Sequence, residues 1–194
     1  IPSREEMYPD GFQTVISVET ISQGLCGASR PHFFGGVTTV VCKLLNQARP
    51  DIAVFGEKDY QQLLVIRRMA KDLNLHVDII GAPIVREADG LAMSSRNAYL
   101  SAAERAVAGQ LNKLLAAIAA RLENGAFVDA ALAEGRAALV AAGINIIDYL
   151  EVRCANTLEP QGPGPIKKQS RLLAAIIVGK TRLIDNWPVE FSAR

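Results

Sequence analysis

The sequence predicts an α/β fold joined to a smaller α+β part, and three observations indicate this organisation. Apolar runs at residues 52–55 and 77–80 flank a stretch of helical periodicity from about residue 59 to residue 73. A strand, a helix and a second strand in this order make a βαβ unit, which implies parallel strands joined by a right-handed crossover. After residue 97 the pattern changes to two helical stretches, a strand and a hairpin. We therefore expect two domains, residues 1–84 and residues 85–194.

Two elements are expected in the first domain before the βαβ unit. Residues 12–19 alternate apolar and polar side chains, which predicts a strand. A glycine-bearing loop over residues 24–36 precedes a predicted helix over residues 37–47. The continuous apolar run at residues 52–55 is typical of a strand that is buried on both faces, and Gly56 is expected to end it.

The second domain opens on a helix-start signal. Ser101 and Glu104 have the spacing of a capping box, and apolar residues continue at helical spacing to residue 122. The elements predicted after that helix are a helix over residues 128–142, a strand over residues 148–154, and a hairpin with strands over residues 171–178 and 181–185. Gly179-Lys180-Thr181 is similar to the end of a phosphate-binding P-loop, but Ala174 stands where that motif needs glycine, so we interpret it as the hairpin turn.

The composition argues against several classes of partner. The net charge is +1, from 21 basic and 20 acidic side chains, which does not favour broad electrostatic capture of nucleic acid or of an anionic membrane. No apolar run reaches the length of a transmembrane helix. The three cysteines are widely separated and make no ligand cluster with the two histidines, so we expect buried or idle thiols in a reducing compartment and assign no residue to a metal.

The segment 55–62 carries the strongest candidate site. Gly56 follows a predicted strand, where the backbone can approach a ligand closely, and the helix after it offers free N–H groups. Lys58 could neutralise a phosphate, while Asp59 and Gln62 could hydrogen-bond hydroxyls or an amine. The alternative is purely structural: Asp59 caps the helix, Gln62 completes a capping box with it, and Lys58 is solvated.

Two further loops offer anion ligands. Ser94, Ser95 and Arg96 combine two hydroxyls with a guanidinium, which suits a polyphosphate. Arg30, in the loop before the predicted helix at 37–47, could hold a carboxylate. The alternative for both loops is ordinary solvated surface.

Five stretches, taken in order, resemble one enzyme family. They are residues 6–11, residues 25–31, Phe55-Gly56-Glu57-Lys58-Asp59-Tyr60-Gln61-Gln62-Leu63, residues 86–97 with Met93-Ser94-Ser95-Arg96-Asn97, and Leu183-Ile184-Asp185-Asn186. On these strings the chain resembles the pantothenate synthetases over essentially its whole length. The resemblance implies a Rossmann-like nucleotidyltransferase domain and a C-terminal lid domain, in a cytoplasmic homodimer that uses ATP and Mg²⁺.

The resemblance also implies a reaction in two steps. The pantoate carboxylate attacks the α-phosphate of ATP and releases pyrophosphate, and the amine of β-alanine then attacks the pantoyl adenylate and releases AMP. Lys58 and Arg96 would bind the phosphates and stabilise the charge that develops during transfer. The other implied roles are phosphate donation by Ser94 and Ser95, close backbone approach at Gly56, ribose binding by Asp59, adenine contacts from Val85 and Met93, pantoate binding by Gln62, and a place near the site for Arg30.

Two departures from the family pattern set further expectations. The family's opening third, with its His-x-Gly-His phosphate motif and two amide side chains that help hold pantoate, has no counterpart in this sequence. The family's Ser-Arg-Pro-Gly-His-Phe is altered at residues 29–34, so we assign no role to His32. We therefore expect the C-terminal two-thirds of such an enzyme, inactive by itself. The alternatives are a non-catalytic dimerising or nucleotide-binding fragment and another adenylyl- or cytidylyltransferase.

Overall fold

The computed structural model describes residues 2–192 in two compact units, the first ending at Ala82 and the second starting at Pro83. The first unit contains α1 (Arg4–Met7), α2 (Leu25–Ser29), α3 (Phe33–Ala48), β1 (Ile52–Gly56), a 3-10 turn (Glu57–Asp59), α4 (Tyr60–Asp72) and β2 (Asp78–Ala82). The second unit contains a 3-10 turn (Ser95–Tyr99), α5 (Ala102–Ala108), α6 (Gln110–Glu123), α7 (Val128–Ala141), β3 (Ile146–Cys154), β4 (Ser170–Val178) and β5 (Thr181–Val189).

The predicted βαβ unit is confirmed. β1 and β2 pair in parallel, in a register that runs from Ile52 opposite Asp78 to Gly56 opposite Ala82. Gly56 was expected to end the strand before its own position, but it is the last residue of β1 and belongs to the paired ladder. Glycine weakens a strand without forbidding it, because its extended conformation is unstrained.

The expectation that β1 is buried on both faces is wrong for this chain. Ala53 and Phe55 pack into a core formed with α3 and α4, where Ile66 is fully buried. The alternate residues Ile52 and Val54 remain 55% and 63% exposed. The reason is that α3 and α4 cover one face of the two-stranded sheet, and no described residue of the unit buries the other.

The strand predicted at residues 12–19 is also absent from the described structure. Its alternating segment joins no strand ladder. Threonine side chains of α3 take the place of a strand partner: the Ile16 amide donates to Thr39 Oγ1 at 3.0 Å, and Thr38 Oγ1 donates to the Ile16 carbonyl at 2.5 Å. The loop expected over 24–36 contains α2 and the first turn of α3, which begins at Phe33.

The second unit has the predicted α+β character. Its sheet is antiparallel in the order β3-β4-β5, and α6 and α7 pack against it and against each other. The core includes the fully buried side chains Leu115, Leu122, Leu139, Leu150, Leu172 and Ile176. The hairpin turn at Gly179 is confirmed. β5 runs to Val189 rather than residue 185, because Pro188 is tolerated in an edge strand.

The helix predicted from residue 101 to residue 122 is two helices. The capping box is confirmed, since Ser101 Oγ accepts from the Glu104 amide and the Glu104 carboxylate accepts from the Ser101 amide. The break falls at Gly109, where an added Cβ would lie 3.4 Å from the Asp89 carbonyl oxygen. Apolar periodicity continues through Gly109, so the sequence pattern does not reveal the break.

Two further observations concern the described helices and the cysteines. None of those helices is both long and apolar enough to span a bilayer. Cys26, Cys42 and Cys154 are buried and outside any disulfide.

Candidate functional site

The carboxyl end of β1 carries the first group of predicted residues. Gly56 ends the strand, and a Cβ added there would meet no atom within 4 Å, so the space beside its backbone is open. The chain then enters the 3-10 turn Glu57–Asp59 and the first turn of α4. Glu57 packs over β2, where a Cβ at Gly81 would lie 3.0 Å from its Oε1. This contact fixes the turn against the neighbouring strand.

The 3-10 turn and the first turn of α4, which follow Gly56 directly, carry a cation, a carboxylate and an amide in Lys58, Asp59 and Gln62. Lys58 and Gln62 are half-buried, and Asp59 is exposed. Asp59 occupies the N-cap position of α4 but makes no side-chain capping bond. The structural alternative for Asp59 is therefore wrong, and its carboxylate remains available to a ligand.

Gln61 is a site-positioning residue that the sequence analysis did not single out. It is 5% exposed on an otherwise apolar face of α4. Its Oε1 accepts from the Cys26 amide at 3.1 Å, and its Nε2 donates to the carbonyls of Ile21, Gln23 and Gly24 at 3.2–3.3 Å. The loop before α2 is thus tied to the helix that carries Gln62. The signal available in the sequence was a pair of adjacent glutamines, of which one must face inward on a helix packed on its apolar side.

Arg30 stands at the end of α2 with an unusual environment. Its guanidinium lies 3.8 Å from the centroid of the Phe33 ring. Its Nε is buried and has no hydrogen-bond partner among the described residues. A stacked guanidinium with an unused donor suits a planar anion, which agrees with the predicted type of role for this arginine.

A cavity of about 480 Å³ in the first unit does not coincide with the predicted residues. Its walls include the rings of Tyr8, Phe12 and Phe34 together with His32. No predicted site residue lines it. We place the candidate site at the carboxyl end of β1, where the predicted ligand groups lie, and not in this cavity.

In the second unit, Val85 and Met93 are brought together by a backbone hydrogen bond. The Met93 amide donates to the Val85 carbonyl at 2.9 Å, and the Arg86–Ala92 bridge follows directly. Both side chains are more than half exposed. The pair forms a small apolar surface at the base of a tight hairpin.

Ser94, Ser95 and Arg96 continue from that hairpin. Ser94 is the N-cap of the 3-10 turn, and its Oγ accepts from the Arg96 amide at 3.3 Å. The Ser94 hydroxyl proton therefore stays free to donate to a ligand. Ser95 and Arg96 are exposed, so the turn presents two hydroxyls and a guanidinium to solvent.

An ion-pair network below this turn was not predicted. Arg105 pairs with Glu87 and Asp89, and Asn97 donates to Glu87. Hydrogen bonds from Asn97 and Arg105 hold the pKa of Glu87 below its ordinary value. A hydrogen bond from the Leu91 amide, followed by one from Arg105, does the same to the pKa of Asp89. All four side chains therefore keep fixed charges or dipoles near neutral pH.

Arg86 and Asp185 form a second unpredicted contact. Arg86 Nη1 and Nη2 donate to Asp185 Oδ2 and Oδ1 at 2.7 and 3.0 Å. Asp185 is 4% exposed, and the Arg86 guanidinium also lies 5.3 Å from the Trp187 ring. A fork-like pair of this kind fixes the hairpin of residues 85–93 to β5.

The fold and these groups define the class of protein. A parallel strand pair with its crossover helix carries charged and amide side chains at the carboxyl ends of the strands, which is where open α/β sheets bind ligands. A separate α+β unit carries the second group, Val85 and Met93–Arg96. This is an α/β protein with a second, α+β unit.

Comparison with known proteins identifies the family. Residues 1–188 match the family described as pantoate-beta-alanine ligase. A pantothenate synthetase from Caulobacter vibrioides is 56% identical over 189 residues, which is 97% of this chain and 66% of that protein. The chain belongs to the pantoate-beta-alanine ligase family. It spans 65–66% of the length of the first two curated relatives that it matches.

Solved structures agree with this assignment and with the predicted fold. The pantothenate synthetase of Thermus thermophilus aligns with a TM-score of 0.90 at 44% identity, over 97% of this chain and 68% of that one. The pantoate-beta-alanine ligase of Francisella tularensis, crystallised with β-γ ATP and β-alanine, aligns with a TM-score of 0.75 at 31% identity. That alignment covers 98% of this chain and 64% of the Francisella chain.

Proposed function

We propose that the protein to which these residues belong joins pantoate to β-alanine at the expense of ATP. The observation that carries the proposal is the group of side chains after Gly56: Lys58, Gln62 and Asp59, whose carboxylate makes no capping bond, directly follow the carboxyl end of a parallel strand. The choice of pantoate and β-alanine as substrates rests on the family match over residues 1–188.

The reaction proceeds by adenylation and then acyl transfer. The pantoate carboxylate forms a bond to the α-phosphorus of ATP, and the bond to the pyrophosphate oxygen breaks. The β-alanine amine then attacks the acyl carbon, AMP departs with the electron pair of the broken bond, and the amine loses its proton. Charge accumulates on phosphate oxygens in both steps, so fixed cations and hydroxyl donors lower both barriers.

Each predicted residue has a role that its environment supports. Half-buried Lys58 and exposed Arg96 neutralise phosphate oxygens, and Ser94 and Ser95 donate to them. The remaining roles are ribose binding by Asp59, backbone approach at Gly56, an apolar surface for adenine from Val85 and Met93, pantoate binding by Gln62, and an anion contact from the unused donor of Arg30.

Mg²⁺ enters this proposal with the nucleotide. Among the described residues, no group of three or more His, Cys, Asp or Glu side chains could hold a metal ion. Mg²⁺ commonly keeps several waters and is held through substrate phosphates rather than by a protein cage. We therefore expect it on the ATP phosphates, and the residues named above act on the phosphates directly.

Pantoate-dependent exchange of pyrophosphate into ATP tests the proposed function. The chain is assayed alone and joined to the opening third of the Caulobacter vibrioides relative. We expect exchange only in this chimera, because this sequence lacks the His-x-Gly-His motif. Exchange by the chain alone would overturn the expected inactivity. Silence in both would contradict pantoate adenylation and favour a nucleotide-binding fragment, while exchange without pantoate would indicate another nucleotidyltransferase.

Substitution of Lys58 tests the cluster itself. Lys58→Ala in the chimera should lower the exchange rate by about a hundredfold, since removing one charge-stabilising donor costs roughly that factor. Lys71→Ala is the matched control, because Lys71 is an exposed lysine at the far end of α4. Equal rates for the two variants would remove Lys58 from the proposed chemistry.

The assembly and location of the protein follow the family as well. We propose a homodimer in the cytoplasm. Sedimentation of the chimera at several concentrations decides the oligomeric state, and a monomer at all of them would contradict it.

A further inference from the structure

The buried side-chain amide of Asn97 holds the turn that we propose binds phosphate. Ser95 and Arg96 are exposed, but the next residue, Asn97, is only 4% exposed. Asn97 Nδ2 donates to Glu87 Oε1 at 2.6 Å and to the Ala92 carbonyl at 3.1 Å. Its own amide donates to the Ser94 carbonyl at 3.0 Å. Asn97 thus bonds to the hairpin that precedes the turn, through its side chain, and to Ser94 at the start of the turn, through its backbone amide.

The acceptor Glu87 is itself fixed. Its second carboxylate oxygen accepts from Arg105 Nη2, and the same guanidinium donates through Nε to Asp89 Oδ2 at 2.8 Å. The Glu87 amide donates to the Leu91 carbonyl at 2.9 Å, which closes the hairpin over Gly90. Both ends of the Asn97 contact are therefore anchored, one to α5 through Arg105 and one to the backbone of Ala92.

The chemistry of the contact requires a primary amide. Two acceptors, a carboxylate and a carbonyl, face one side-chain nitrogen, and the amide NH₂ group supplies two donors. An aspartate would place a second carboxylate against Glu87, and an aliphatic side chain would leave both acceptors without a donor. Asn97 Oδ1 is buried without a partner among the described residues, so the side chain is held by its donors alone.

We propose that Asn97 is a positioning residue for ATP: with Glu87 and Arg105, it holds the Ser94–Arg96 turn in the conformation that receives the phosphates. The proposal rests on the proposed function, which assigns those three residues to phosphate. Asn97 itself touches no substrate. Its contribution is to keep the turn ordered before the nucleotide arrives, so that binding does not have to order it.

Hydrogen exchange of the 194-residue chain tests the positioning without any assumption about function. In Asn97→Leu, which removes both donors and keeps the number and branching of the side-chain heavy atoms, we expect faster exchange at the amides of residues 94–97 and unchanged exchange in β3–β5. The matched control is Asn124→Leu, because Asn124 Nδ2 also donates to a backbone carbonyl, that of Ala120 at 2.7 Å, but lies at the end of α6. Unchanged exchange at residues 94–97 in Asn97→Leu would overturn the proposal.

The chimera tests the consequence for ATP. Asn97→Leu should raise the KM for ATP by about tenfold or more, as expected for losing a hydrogen bond to a charged group, and leave the KM for pantoate unchanged. Equal increases in both KM values would indicate general damage and overturn the proposal. If Asn97→Leu does not fold, Glu87→Ala removes the acceptor of the same hydrogen bond, and the same measurements on that variant test the proposal. If the unsubstituted chimera shows no exchange of pyrophosphate, the proposed function fails, and hydrogen exchange alone decides the positioning.

Discussion

At the scale of single residues, the stretch 86–97 divides between residues that face solvent and residues that hold the hairpin. Ser95 and Arg96 are exposed, whereas Asn97 and Ala92 are buried. Arg86 makes its fork-like contact with Asp185, 99 positions later in the chain. The strings that resemble the family therefore combine ligand candidates with structural residues, and Asp185 is one of the structural residues.

Gly90 is the residue in this hairpin whose backbone requires glycine. It has a φ of +87°, and an added Cβ would lie 3.0 Å from Asn112 Nδ2. Gly125 has a nearly equal φ of +89° with nothing within 4 Å. We expect Gly125→Ala to lower the free energy of unfolding by about 1 kcal/mol and Gly90→Ala by about 2 kcal/mol, since the first adds only backbone strain and the second adds crowding. Urea denaturation measures both, and equal losses would show that Asn112 moves aside freely.

At the scale of elements, a side-chain cap sets the start of α5 but not of every described helix, and the break between α5 and α6 is not visible in the apolar pattern. The start of α5 is set by Ser101 and Glu104, which bond to each other's backbone amides. The start of α4 at Asp59 lacks such a bond, although the residue type is a common cap. The break between α5 and α6 lies at Gly109, where the Asp89 carbonyl approaches closely.

The capping box predicts a pH-dependent contribution to stability. Hydrogen bonds from the Ser101 amide and hydroxyl hold the pKa of Glu104 below its ordinary value. A carboxylate with a depressed pKa stabilises the folded state above its unfolded pKa, and this contribution disappears as the pH falls through the folded pKa. We therefore expect Glu104→Gln to lower the urea midpoint at pH 7 and the difference from the unsubstituted chain to shrink towards pH 3. A difference that is the same at both pH values would contradict the assignment.

At the scale of the whole molecule, the two units differ in how completely they bury their sheets. The β3–β5 sheet packs against α6 and α7, and β4 is buried along nearly all its length. The β1–β2 sheet is covered on one face by α3 and α4, and its other face exposes Ile52, Val54 and Ile80. Parallel sheets are normally covered on both faces, so we expect the chain to associate through this apolar face at high concentration.

Charge on that face should suppress association of the chain. We expect Val54→Lys to lower the weight-average mass of the 194-residue chain, measured by sedimentation at high concentration. Val140→Lys is the control, because Val140 is 50% exposed on α7 of the second unit. An equal effect of both substitutions would mean that net charge, rather than the β1–β2 face, controls association.

Features that depend on neighbours along the chain could be predicted from the amino-acid sequence. Periodicity predicted the βαβ unit and the α+β second part, the Ser101 and Glu104 spacing predicted a cap, and the Phe55–Leu63 and Met93–Asn97 strings pointed to the family. These signals are local, because helix, turn and cap preferences are set within a few residues.

Features that depend on contacts between distant parts of the chain could not be predicted in this way and became visible in the folded structure. The hydroxyls of Thr38 and Thr39 hydrogen-bond the backbone of the segment that alternates like a strand, in place of a strand partner. A helix ends at Gly109 although its apolar pattern continues. Val54 stays exposed within an apolar run. The Asn97–Glu87–Arg105 network likewise joins side chains whose types do not reveal their partners. The type of a residue limits which groups its side chain can bond to, and tertiary packing determines which of these groups lies within hydrogen-bonding distance.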